Sequence, residues 1–72
     1  MPIGIEEIEN WFTYRPPNEV EKVAYLAIRE KAKELAFLII NYTPPSADQT
    51  AAIRALRSAV WQANAAIACQ GK

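Results

Sequence analysis

The sequence predicts an all-α protein: a short N-terminal helical arm and an antiparallel two-helix hairpin, assembled into a homo-oligomer. Three observations predict it. Apolar residues recur at helical spacing through both long segments, with no strand signal and no internal repeat. Two proline pairs, Pro16-Pro17 and Pro44-Pro45, divide the chain into three pieces. The run Phe37-Leu38-Ile39-Ile40 is apolar around the whole helix circumference, which one neighbouring helix cannot bury. A length of 72 residues reads as one domain, 1–72.

The arm occupies residues 1–12. Ile5, Ile8 and Phe12 recur at helical spacing, with Glu6, Glu7 and Glu9 on the other side. Such a short helix is stable only when docked. Thr13-Tyr14-Arg15-Pro16-Pro17 follows as a stiff connector, because each proline fixes its own φ and extends its predecessor. Tyr14 and Arg15 are therefore held on a rigid hinge.

The first long helix is expected over 18–42. Asn18 followed by Glu21 has the spacing of an N-cap with a reciprocal acceptor, and Pro44-Pro45 stops the helix. The second is expected over 46–69, opened by the Ser46-x-x-Gln49 capping box and closed near Gly71. The link between them is short, so the helices run antiparallel. Ile53, Leu56, Val60, Ala63 and Ile67 form the core stripe of the second helix, and Val20, Ala24, Ile28, Leu35 and Leu38 can face it. The remaining apolar belt calls for further copies of the chain. The plain alternative is a monomer whose arm covers Phe37 to Ile40. The abundant alanines of the second helix suit close helix approach, and helix propensity explains them equally well.

Composition removes several function classes. The 8 basic and 8 acidic side chains balance, which argues against a grip on DNA or RNA polymers. Without histidine there is no Ser-His-Asp triad and no imidazole zinc site, and a single cysteine, Cys69, permits no internal disulfide. Two glycines make no phosphate-binding loop. These points predict a protein that is not an enzyme and needs no cofactor or metal. No stretch is long and apolar enough to span a bilayer, and the acidic start does not resemble an export signal, so a cytosolic protein is expected.

Two ridges stand apart from the core. On the first long helix, Lys22, Tyr25, Arg29 and Lys33 lie at 3-4-4 spacing; on the second, Arg54, Arg57, Trp61 and Asn64 lie at 3-4-3 spacing. Guanidinium holds phosphate in a bidentate fork, an aromatic face stacks on a base, and an amide pairs with a base edge. The ordinary alternative is a solvated face, with Glu30 and Glu34 pairing Lys31 or Lys33. Two such ridges on a neutral chain favour a discrete anionic nucleotide. Cys69 has no basic neighbour and reads as a packing residue.

Phe12-Thr13-Tyr14-Arg15-Pro16-Pro17, Ala27-Ile28-Arg29-Glu30-Lys31-Ala32-Lys33-Glu34-Leu35 and Ala59-Val60-Trp61-Gln62-Ala63-Asn64-Ala65-Ala66-Ile67-Ala68 together resemble a family of short phage-encoded helical hairpins. These are anti-CBASS cyclic-oligonucleotide sponges, related to Thoeris anti-defence sponges. The resemblance covers residues 12–68, and its specific part is F-T-Y-x-P-P combined with W-x-A-N-A-A-I-A.

The resemblance implies a hexamer built as paired trimers in the cytoplasm of an infected bacterium. It implies sequestration, without cleavage, of immune second messengers. Cyclic dinucleotides would sit between two protomers, with Tyr14 and Arg29 matching the family's tyrosine and basic residue. Better-known members carry lysine at the second position, so Arg29 is a departure. Arg15, Pro16, Tyr25 and Lys33 are expected to line the same pocket. A second pocket, for cyclic trinucleotides, would draw on Arg54 or Arg57, beside Trp61 and Asn64. Thoeris-related members bind cyclic ADP-ribose isomers. The alternative to a sponge is a helical interaction module, such as an antitoxin or adaptor.

Overall fold

The computed structural model describes residues 2–71. Among these it contains three helices and no strand: α1 (Ile5–Phe12), α2 (Glu19–Tyr42) and α3 (Ala47–Ala68). Helices α2 and α3 pack along each other as the antiparallel hairpin. Helix α1 stands at the hairpin's open end, where Trp11 approaches Gln62, Ala66 and Cys69 near the end of α3.

The helix ends follow from local chemistry. The Glu7 carboxylate accepts from the Gly4 N–H at 2.9 Å and caps the start of α1. At its other end the Arg15 guanidinium donates to the Asn10 carbonyl at 3.2 Å, a cation on carbonyls that lack helical partners. Asn18 and Glu21 form a full reciprocal box, at 2.8 and 3.0 Å. The expected Ser46–Gln49 box forms only by half. Ser46 Oγ accepts from the Gln49 N–H at 3.1 Å. The Gln49 amide instead donates to the Thr43 carbonyl and hydroxyl, both at 3.1 Å. That side chain ties the start of α3 back to the end of α2 and closes the proline turn.

The α3 side of the seam consists of Ile53, Leu56, Val60, Ala63 and Ile67, all half-buried, as the spacing predicts. The α2 side bears out Ala24 and Ile28 and corrects the rest of the expectation. Ala24, Ile28, Ala32, Ala36 and Ile39 are half-buried there, whereas Val20, Leu35 and Leu38 are exposed. Ala24, Ala32 and Ala36, on one i, i+4 row with Ile28, let the helices approach closely. Close approach gains more contact than a bulky side chain holding the backbones apart.

The arm does not cover the Phe37–Ile40 belt, contrary to what the monomer alternative expects of it. Phe37, Leu38 and Ile40 are 60%, 53% and 51% exposed. No described side chain reaches full burial. The radius of gyration is 15.4 Å, against about 11 Å for a compact chain of this length. Two helices one layer thick, with an arm beyond them, enclose no interior.

A candidate ligand-binding face

The Tyr25 hydroxyl lies 3.5 Å from the Asn64 carbonyl, and this contact sets the register of the hairpin. Counting along the antiparallel pair from it, Arg29 lies opposite Val60 and Trp61, and Lys33 opposite Leu56 and Arg57. The rotational positions agree. A step of four residues advances about 40° around a helix. Tyr25, Arg29 and Lys33 climb away from the seam in such steps, and so do Ile53, Arg57 and Trp61. Equal rotational sense on antiparallel neighbours carries both rows to the same face of the hairpin. The two ridges are thus one surface.

On that surface the Arg57 guanidinium carbon sits 4.9 Å from the Trp61 ring centroid, a cation–π contact. The pair presents a flat aromatic with a charge fixed beside it, and Trp61 is 59% exposed. Two of the α2 cations are committed elsewhere: Lys22 pairs with Glu19 at 3.2 Å and Lys31 with Glu34 at 3.3 Å. Both pairs are exposed and hold little stability. Among the described residues, Arg29, Lys33, Arg54 and Arg57 have no carboxylate partner, so their charge is available to a phosphate. The Lys31–Glu34 pair is the local contact that a solvated face predicts, while Lys33 makes no such pair.

Other expected site residues stand differently. Tyr25 is half-buried, its hydroxyl turned to α3, so it braces the face from below. Asn64 also belongs to the seam, and its Oδ1 is buried with no hydrogen-bond partner among the described residues. Arg15 is engaged at the end of α1, and Pro16 is exposed beside it. Tyr14 is 83% exposed in the connector before α2. Arg29 lies ten residues into α2, about 15 Å along its axis.

The sequence reading passed over Trp11. It forms one wall of an open groove of about 460 Å³ against Gln62, Ala65, Ala66, Cys69 and Gly71. Its signal was present, since Trp11 lies three residues after Ile8 on the edge of the arm's apolar stripe. No helix of the described residues is long and apolar enough to cross a membrane, and no three His, Cys, Asp or Glu side chains cluster as metal ligands.

An all-helical hairpin with an unpaired cationic, aromatic face defines a small binding module. The chain belongs to the Acb2/Tad1 family: the family model described as "Acb2/Tad1, hairpin domain" matches residues 4–68, which takes in the arm and both long helices. This is the family of anti-CBASS and anti-Thoeris sponges, binding domains rather than enzymes, and membership implies cyclic-oligonucleotide binding and oligomerisation. No curated protein and no solved structure matches the chain.

Proposed function

We propose that the chain is a phage sponge. It binds cyclic oligonucleotide second messengers in the cytoplasm of an infected bacterium and holds them intact, so that CBASS- or Thoeris-type defence stays silent. The observation that carries this reading is the single face bearing Arg29, Arg57 and Trp61 on a hairpin of the sponge family. Guanidinium forks suit the ring phosphates and an aromatic plane suits a base. Arg29 and Tyr14 are the proposed dinucleotide contacts, with Arg15, Pro16 and Lys33 around them and Tyr25 supporting Arg29. Arg54, Arg57, Trp61 and Asn64 are the proposed second site, for trinucleotides.

The working form is a homo-oligomer, a hexamer by family likeness. The area supports association. A compact monomer of 8.1 kDa exposes about 4,500 Å², whereas this chain exposes 6140 Å². The excess matches roughly two interfaces of about 800 Å² per partner. Association also brings one copy's Tyr14 to another's Arg29, which completes a pocket that one chain leaves in halves.

The test is calorimetry with a cyclic dinucleotide, followed by denaturation and chromatography of the released ligand. Saturation near one ligand per two chains, with the ring recovered intact, is expected. Tyr14→Ala and Arg29→Ala should each weaken binding by roughly 1–3 kcal/mol, about five- to 150-fold, while assembly persists. Linear products in proportion to protein would show a nuclease. Absence of binding to any cyclic nucleotide would leave an interaction module instead.

A further inference from the structure

We propose that Thr13 and Arg15 are positioning residues. Their side chains clamp the first connector onto the last turn of α1, and that clamp holds Tyr14 in the posture in which it meets the ligand. The inference rests on the reading of Tyr14 as a dinucleotide contact. It assigns Arg15 to holding that residue, not to touching a phosphate.

The two connectors of the chain share one plan. Thr43-Pro44-Pro45-Ser46 joins α2 to α3, and Thr13-Tyr14-Arg15-Pro16-Pro17-Asn18 joins α1 to α2. Both begin with an extended threonine at a helix end, φ −95° at Thr13 and −125° at Thr43. In both, the threonine hydroxyl donates to the carbonyl four residues back, Glu9 in α1 and Ile39 in α2. Both continue through two prolines and end on a side chain that caps the next helix, Asn18 or Ser46. The first connector is therefore the second with Tyr14-Arg15 inserted after the threonine.

Two added residues loosen a turn unless something ties them down. Arg15 does so here. Its guanidinium reaches back past Tyr14 and Thr13 to the Asn10 carbonyl at 3.2 Å. That carbonyl lies in the last turn of α1, where helical partners are missing and a cation suits the negative end of the helix dipole. On the other side, Pro16 and Pro17 fix their own φ, and the Asn18–Glu21 box fixes the entry to α2. Thr13, Arg15 and Asn18 are thus hydrogen-bonded and the prolines are ring-locked. Tyr14 alone in the connector has neither restraint among the described residues, and its side chain is 83% exposed. Helix α1 in turn approaches the end of α3 through Trp11, which gives the clamp a base on the hairpin.

An exposed aromatic on a loose backbone must be ordered as it binds, and that ordering subtracts from affinity. The clamp moves the ordering of Tyr14 into the folding of the chain. Neither the Thr13 hydroxyl nor the Arg15 guanidinium has to touch the ligand to have this effect.

The test is calorimetry on full-length chains with cyclic di-AMP, cyclic di-GMP and cyclic GMP–AMP, the tightest of the three being used throughout. Thr13→Val removes the hydroxyl and keeps a β-branched residue suited to extended backbone. Arg15→Met removes the donors and keeps an unbranched stem. Both positions are exposed, so helicity by circular dichroism should stay that of the wild type. Each variant should bind about three- to tenfold more weakly. Thr13→Ser keeps the donor and should bind within about twofold of the wild type. In a Tyr14→Ala chain, Thr13→Val and Arg15→Met should each change affinity by less than about twofold, since no aromatic remains to be held. Losses that persist in the Tyr14→Ala chain make these side chains direct contacts and overturn the clamp. Wild-type affinity in both Thr13→Val and Arg15→Met overturns it as well, and in either case the reading of Tyr14 stands. Wild-type affinity in Tyr14→Ala, or a wild-type chain that binds none of the three, overturns both.

Discussion

The two long helices supply matched stripes to their shared seam and differ everywhere else. Outside it α2 exposes Val20, Val23, Leu26, Leu35, Phe37, Leu38, Ile40 and Tyr42, whereas the one large apolar side chain that α3 exposes is Trp61, set among alanines. A helix that is apolar beyond its seam needs more neighbours than one hairpin provides. Helix α3 holds α2 in shape with little bulk of its own, and α2 carries most of the apolar surface that the hairpin leaves uncovered. The difference teaches that the uncovered apolar surface of this fold lies almost wholly on one of its two long helices.

The largest effect tests that asymmetry directly. Leu38 lies off the seam and is 53% exposed in the single chain. A monomer would tolerate Leu38→Asp within about 0.5 kcal/mol, as surface changes usually are. An assembled protein would place an unpaired charge in a buried belt, at a cost of several kcal/mol. We expect Leu38→Asp to abolish the oligomer, with mass followed by light scattering and helix content by circular dichroism. A variant that keeps wild-type mass would show that α2 is not the associating helix.

The same asymmetry explains how much the sequence revealed. The α3 stripe was legible because its outer positions are alanine or polar, so Ile53, Leu56, Val60, Ala63 and Ile67 stand out at 3-4 spacing. The α2 stripe was legible only at Ala24 and Ile28. Its apolar residues go all round the helix, and periodicity cannot choose among several stripes. The seam took the alanines, and the bulky Leu35 and Leu38 that the sequence reading preferred stayed outside. The candidate site was legible to a similar depth. Both ridges could be read from spacing, but their union on one face depends on the register, and no local pattern encodes the Tyr25–Asn64 contact. A pocket shared between copies, as proposed, would be a longer-range property still.

A smaller effect concerns Asn64, a polar side chain that α3 sends into the seam. The buried Asn64 Oδ1 lacks a partner among the described residues. An unsatisfied buried acceptor costs about 1–3 kcal/mol, and an apolar isostere removes that cost. Asn64→Leu should therefore raise the urea midpoint while the slope is unchanged. A lowered midpoint would show that the amide is satisfied in the assembly, and that this polar site on α3 is part of an interface after all.

The smallest effect compares how the two helices end. Helix α2 stops in an extended residue, Thr43, ahead of Pro44. Helix α3 stops in a Schellman turn, where the Gly71 N–H donates to the Ala66 carbonyl at 2.9 Å and the Gln70 N–H to the Ile67 carbonyl at 3.2 Å. The left-handed residue that this turn requires is Gln70, with φ of 55°. A side chain in that conformation costs roughly 1–2 kcal/mol, which glycine avoids at some loss of unfolded-chain entropy. Gln70→Gly should stabilise the protein by about 0.5–1 kcal/mol in urea unfolding. Gln70→Ala keeps the penalty and removes the side chain, so it should match the wild type. Equal gains in both variants would trace the effect to the glutamine side chain and not to the backbone, and the end of α3 would then be no more strained than the end of α2.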